Sequence, residues 1–96
     1  MHKAVKLFNI HQLSNELKIY NDKAINVIKD CYLFSASCYI KINQFDSAIQ
    51  LMDELLEAEL QNVKALYLRG KAYYQRGDQE LAFKDFSTAI KVEPQN

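Results

Sequence analysis

Displaced by 34 residues, the chain falls on itself, with 29–62 overlying 63–96. Tyr39 meets Tyr73, Ala48 meets Ala82, Glu59 meets Glu93, and Gln61-Asn62 meets Gln95-Asn96. Other positions keep their character rather than their identity. Tyr32 pairs with Leu66, Met52 with Phe86, Leu55 with Ala89, Leu56 with Ile90, and Ala36 with the likewise small Gly70. A period of this length marks an architecture of stacked units. One unit cannot bury its apolar face alone, and stacking buries it.

The units read as pairs of helices. Ile49, Met52, Leu55 and Leu56 share one helical face, and so do Ala82, Phe83, Phe86, Ala89 and Ile90. Nothing alternates with a period of two over a useful length. Two glycines and one proline occur in 96 residues. An all-β sandwich needs a turn roughly every 8–12 residues and is disfavoured. The breaks are Asn21-Asp22, Asn43-Gln44-Phe45-Asp46 with Asp46 as the expected N-cap, Gln61-Asn62, and Gly77-Asp78 with a glycine stop and an aspartate cap. Pro94 closes the last helix. Helices are therefore expected near 2–19, 22–43, 46–59, 63–76 and 79–92, the last four as two antiparallel hairpins.

Within each hairpin a small residue, Ala36 or Gly70, lets the second helix approach the first, and Ala48 and Ala82 are the matching small contacts. Tyr39 and Tyr73 fill the space beside them, and Met52 and Phe86 pack toward the next pair. The first 28 residues do not continue the register. Ala4 and Phe8 repeat the spacing of Ala82 and Phe86, so 1–28 read as an orphan helix and connection left from an earlier unit. The distance from Ala4 to Tyr39 exceeds that from Ala48 to Tyr73 by ten residues, which calls for a longer helix after Asp22, a longer connection, or both.

Charge and cysteine usage narrow the function. Lys plus Arg number 12 and Asp plus Glu number 12, so there is no basic excess to hold a nucleic acid. Residues 1–28 carry a net charge of +2, 29–62 of −4 and 63–96 of +2. The acidic group Asp53, Glu54, Glu57 and Glu59 reads as a solvated outer face. No apolar run approaches the roughly 18 residues of a membrane span, and the N-terminus is too polar for a signal peptide. Cys31 and Cys38 are seven apart. On a helix that is about 10 Å of rise, beyond the roughly 7 Å a disulfide tolerates. They read as small, buried, reduced thiols in a cytoplasmic setting. His2 and His11 lie elsewhere and complete no metal site with them. Gly70 and Gly77 form no phosphate loop or nucleophile elbow. No acid–base pairing is recognisable, so neither catalysis nor a cofactor is expected.

The stretch ALYLRGKAYYQRGDQELAFKDFSTAIKVEP resembles the tetratricopeptide repeat, through Leu66, Gly70, Tyr73, Ala82, Phe86, Ala89 and Pro94. Residues 29–62 resemble it more loosely, through Tyr32, Ala36, Tyr39, Ala48, Met52 and Leu55, with Leu60 in place of the closing proline. The resemblance implies an all-α fold of antiparallel helix hairpins stacked as a short superhelix, an α-solenoid, with one repeat at 29–62 and another at 63–96. SASCYIKINQFDSAIQ and VKALYLRGKAYYQRGD are similar to segments of the large immunophilins and of aryl-hydrocarbon-receptor-interacting proteins.

In that family the first helices of successive pairs line a concave groove that binds a protein or peptide. The resemblance implies groove positions at Asp30, Leu33, Phe34, Ser37 and Lys41 in the first repeat, and at Lys64, Tyr67, Leu68, Lys71, Tyr74 and Gln75 in the second. Lys64, Lys71 and nearby Arg69 would make the second wall basic, and the tyrosines suit peptide contact. Co-chaperones of the family grip the Glu-Glu-Val-Asp tail of heat-shock chaperones with a carboxylate clamp. Lys64 matches one clamp lysine, but the clamp asparagine position holds Phe34 and the second basic position holds Leu68. The expectation is a non-catalytic interaction module whose groove takes an apolar peptide or helix with an acidic flank. Its rivals are a chaperone adaptor of immunophilin type, a scaffold subunit, and the regulatory arm of an enzyme. With few repeats to stack, both ends should expose apolar surface, made at the last hairpin partly by Ala82, Phe86 and Ala89, and self-association is a further expectation.

Overall fold

The computed structural model describes residues 22–93. The helix expected over 2–19 lies outside them. Four helices follow one another: α1 Asp22–Lys41, α2 Phe45–Ala58, α3 Val63–Arg76 and α4 Gln79–Val92. There is no strand among the described residues. The extra length expected near the start of the repeats is at least partly helical, since α1 has 20 residues and each later helix 14.

The breaks work by three local devices. After α1 the chain turns at Asn43, whose φ of 62° is a left-handed conformation that asparagine tolerates better than most residues. The N–H of Gln44 then donates back to the Tyr39 carbonyl at 2.8 Å. Before α3, Asn62 is a true N-cap, accepting from the N–H of Ala65 at 3.0 Å. After α3, Gly77 has a φ of 106°, and its N–H donates to the carbonyls of Tyr73 and Tyr74. A side chain at Gly77 would meet nothing within 4 Å, so the glycine is there for its backbone conformation.

The two expected aspartate caps are corrected. Gln44 occupies the N-cap position of α2, and Asp46 sits in the first turn, where it accepts from Arg76 at 2.5 Å. Asp78 is at the N-cap position of α4 but makes no side-chain capping bond; its carboxylate pairs with Arg76 instead. A cationic fork nearby outcompetes a backbone amide for a carboxylate.

The short connections make α1–α2 and α3–α4 antiparallel hairpins, and α3 packs against both α2 and α1. Met52 and Leu55 are the largest fully buried side chains, among Ala36, Ile40, Ala48, Leu66 and Ala72. Burying each of the two contributes about 2 kcal/mol. Ala65 and Ala72 have no exposed surface, which places the backbone of α3 close to its neighbours. Gly70 does the same within the second hairpin, where the ring of Phe86 lies over it.

The charge difference between the repeats is used where they meet. Arg69 of α3 donates to Asp53 of α2 at 2.8 Å, and Arg76 of α3 to Asp46 of α2. Lys29 and Glu59 join α1 to the end of α2. The acidic group on α2 is therefore not simply a solvated face: Asp53 and Glu59 are paired, Glu54 is buried, and Glu57 is exposed as expected.

Two burial expectations are also corrected. Cys31 and Cys38 are exposed, not buried, because the side of α1 that carries them has no described helix packed on it. At the far end, Ala82 is buried and Phe86 is half-buried over Gly70. The exposed apolar surface of α4 belongs to Leu81, Phe83 and Ile90.

Candidate functional site

Helical spacing sorts the groove candidates into faces. On α3, Lys64, Leu68, Lys71 and Gln75 follow one another at intervals of four, three and four and share one face. Asp30, Phe34, Ser37 and Lys41 do the same on α1. Tyr67 and Tyr74 form the neighbouring stripe of α3, one heptad apart.

The structure brings part of this set together. A cleft of about 460 Å³ is lined by Leu33, Val63, Lys64, Tyr67, Leu68, Ala89, Ile90 and Glu93. Leu68 forms its floor, half-buried against the core. The Tyr67 ring is steadied by that of Phe86, their centroids 5.9 Å apart and the planes inclined by 38°. Such a tilted pair is a favourable aromatic geometry. Lys64 is exposed at the rim.

Seven expected groove residues lie outside this cleft: Asp30, Phe34, Ser37, Lys41, Lys71, Tyr74 and Gln75. Phe34 nonetheless stands 72% exposed on the α1 face. Val63, Ala89, Ile90 and Glu93 are cleft residues that the sequence reading missed. Three of them sit at the end of α4, a second helix of a pair, whereas groove positions were sought on first helices. Ile90 carried one usable signal, its place on the apolar face of that helix with Phe83, Phe86 and Ala89.

Arg69 does not belong to the groove. It leans to the opposite side, donating to both carboxylate oxygens of Asp85, at 2.7 and 2.8 Å, and to Asp53. Asp85 is buried, so this fork satisfies a carboxylate that would be costly to bury alone. Hydrogen bonds from Arg69 to Asp85, opposed by burial, raise the guanidinium pKa further above its already high value. Of the three basic residues expected on the second wall, Lys64 is the one that lines the cleft.

Burial, followed by the neighbouring Glu54 carboxylate, pushes Tyr32 up to about 12. A general acid or base would be shifted toward neutrality instead. Among the described residues no group of three His, Cys, Asp or Glu side chains is placed to hold a metal ion. No described helix is long and apolar enough to cross a membrane.

Stacked helix hairpins with an apolar cleft at the groove define a helical-repeat module for binding proteins. Models of the tetratricopeptide repeat match residues 29–62 and 63–96, and the chain belongs to that family. Its repeats are non-catalytic and mediate protein–protein interaction. Among curated relatives, Outer envelope protein 61 of Arabidopsis thaliana is 41% identical over 83 residues, covering 85% of this chain and 15% of that protein. Peptidyl-prolyl cis-trans isomerase FKBP42 of the same plant is 40% identical over 75 residues, 78% of this chain and 20% of the relative. Human FKBP4, another such isomerase, is 35% identical over 65 residues, 68% of this chain and 14% of the relative. The similarity to immunophilins is thus direct, but the chain spans a fifth or less of these proteins.

Proposed function

We propose that this chain binds a segment of a partner protein by docking an apolar side chain into the cleft between α1, α3 and α4, with acidic residues of the segment toward Lys64 and Lys71. The observation that carries this reading is the character of the cleft, which is lined by Leu33, Val63, Tyr67, Leu68, Ala89 and Ile90, with Lys64 and Glu93 as its charged residues.

The magnitudes assign the roles. Burying one Leu or Phe anchor contributes about 1.5–3 kcal/mol. An exposed lysine–carboxylate contact contributes about 0.2–1 kcal/mol and is screened by salt. The cleft supplies most of the affinity, and the lysines supply orientation and salt dependence. Leu68 and Phe34 occupy two positions where a carboxylate clamp has polar groups, so an apolar anchor is favoured over a free terminal carboxylate.

Fluorescence anisotropy with three labelled peptides tests this: an apolar-anchored peptide with an acidic flank, the same anchor with a basic flank, and an acidic tail ending in a free carboxylate. The acidic-flanked anchor is expected to bind best. Lys64→Glu should weaken it several-fold at low salt and less at high salt, and Leu68→Asp should lose it. Equal binding to Lys64→Glu and wild type across low and high salt refutes the role of the lysine. Preference for the acidic tail over the anchored peptide refutes the apolar reading in favour of chaperone-tail binding.

A further inference from the structure

The repeat allows each exposed residue at one end of the stack to be compared with its equivalent inside it. Tyr67, Tyr74, Phe83 and Ile90 are 51, 59, 73 and 64% exposed. Their equivalents 34 residues earlier are Leu33, Ile40, Ile49 and Leu56. Leu33 is half-buried, and the other three are only 4–7% exposed. The difference is position in the stack: α1 and α2 have α3 packed beside them, and the same side of α3 and α4 has no described helix. This end is therefore shaped to receive a helix like α3.

The opposite end offers such a helix. Towards α2, α3 presents Ala65 and Ala72, both with no exposed surface, flanked by the half-buried Leu68. The α1 equivalents are Cys31, Cys38 and Phe34, two small residues one heptad apart and an apolar one between them. All three are exposed. Small residues at that spacing are what close helix approach needs.

The α2–α3 interface pairs Asp53 with Arg69 and Asp46 with Arg76, which sets the antiparallel register. Carried onto α4 and the α1 of a second copy, that register sets Ser87 against Ser35 and Glu80 against Ile42. The α1-side positions on this line, Cys31, Ser35, Cys38 and Ile42, are uncharged, so no like charges are opposed across the contact.

We propose that the two ends are complementary and that the chain associates head to tail, with α1 of one copy docked on the Tyr67–Tyr74–Phe83–Ile90 face of the next. Such a contact is heterologous and does not close on itself, so assemblies grow with concentration. Tyr67 and Ile90 also line the peptide cleft. Association therefore competes with partner binding at every occupied end, while a free end remains on each assembly.

Sedimentation velocity of the 96-residue chain across a wide concentration range tests this, with the labelling rates of Cys31 and Cys38 followed in parallel. The average sedimentation coefficient should rise with concentration, and thiol labelling should slow in step. Phe83→Glu should abolish both effects. Its side chain is exposed and outside the peptide cleft, so helical circular dichroism should be unchanged. Added to wild type, Phe83→Glu should shorten the assemblies, because its α1 still docks but its own end accepts nothing. A monomer at every concentration overturns the proposal, whether its thiols label quickly or slowly. So does association that Phe83→Glu leaves intact, or association that leaves the thiols as reactive as before.

Discussion

Gly70 is where the packing of the second hairpin is tightest, and Gly70→Ala sets two known effects against each other. Alanine favours a helix interior over glycine by about 1 kcal/mol. Against that, a Cβ at this position would lie 2.6 Å from Cε1 of Phe86, 2.9 Å from Cδ1 and 3.2 Å from Cζ. The ring must withdraw by about 1 Å to regain van der Waals separation. Tyr67 stands on one side of it, at 5.9 Å between centroids, and the α3–α4 backbone packing stands on the other. Overpacking of this kind costs about 1–3 kcal/mol. The expected net effect is a loss of about 1 kcal/mol. The decisive comparison is the same substitution in a Phe86→Ala background. There the obstruction is gone, and Gly70→Ala should stabilise by about 1 kcal/mol. The coupling between the two sites is then about 2 kcal/mol, read from urea denaturation followed at 222 nm. If Gly70→Ala stabilises the wild-type chain, or has the same effect in both backgrounds, the ring is not what demands a glycine.

Two further perturbations probe the helix ends. Asn62→Ala removes the one side-chain cap that bonds a backbone N–H among the described residues and should cost about 1 kcal/mol, whereas Gln44→Ala, at a position without such a bond, should cost far less; urea midpoints compare them. At Glu59, burial raises the carboxyl pKa, but hydrogen bonds from Lys29 and Asn62 outweigh it, so the group titrates below its ordinary value of 4.5. A depressed folded-state pKa stabilises above the unfolded value, and that stabilisation is lost as pH falls through the folded one. Stability should therefore decline below about pH 4.5 in wild type, and Glu59→Gln should remove part of that decline in midpoints measured between neutral and acid pH.

What could be read directly from the residues was the local and periodic part of the molecule. The small residues Ala36, Gly70, Ala48 and Ala82 and the aromatic positions beside them recur at a fixed interval, and a hairpin's internal packing depends on little else. Helix boundaries were legible for the same reason, since Asn43, Asn62 and Gly77 act on the backbone within a few residues of themselves. The tertiary structure decided whatever depends on which neighbour a face meets. Arg69 and Lys71 are two residues apart on one helix, about 200° around its axis, and only the arrangement of α2 and α4 gives Arg69 the carboxylates of Asp53 and Asp85 to bind. The acids of α2 are 16 and 30 residues from the arginines they bind, a separation at which no local pattern relates them. Cys31 and Cys38 have the small size and spacing of Ala65 and Ala72, yet are exposed where the alanines are buried. Burial in a stacked fold belongs to the position in the stack, because each face is covered by the next element rather than by its own.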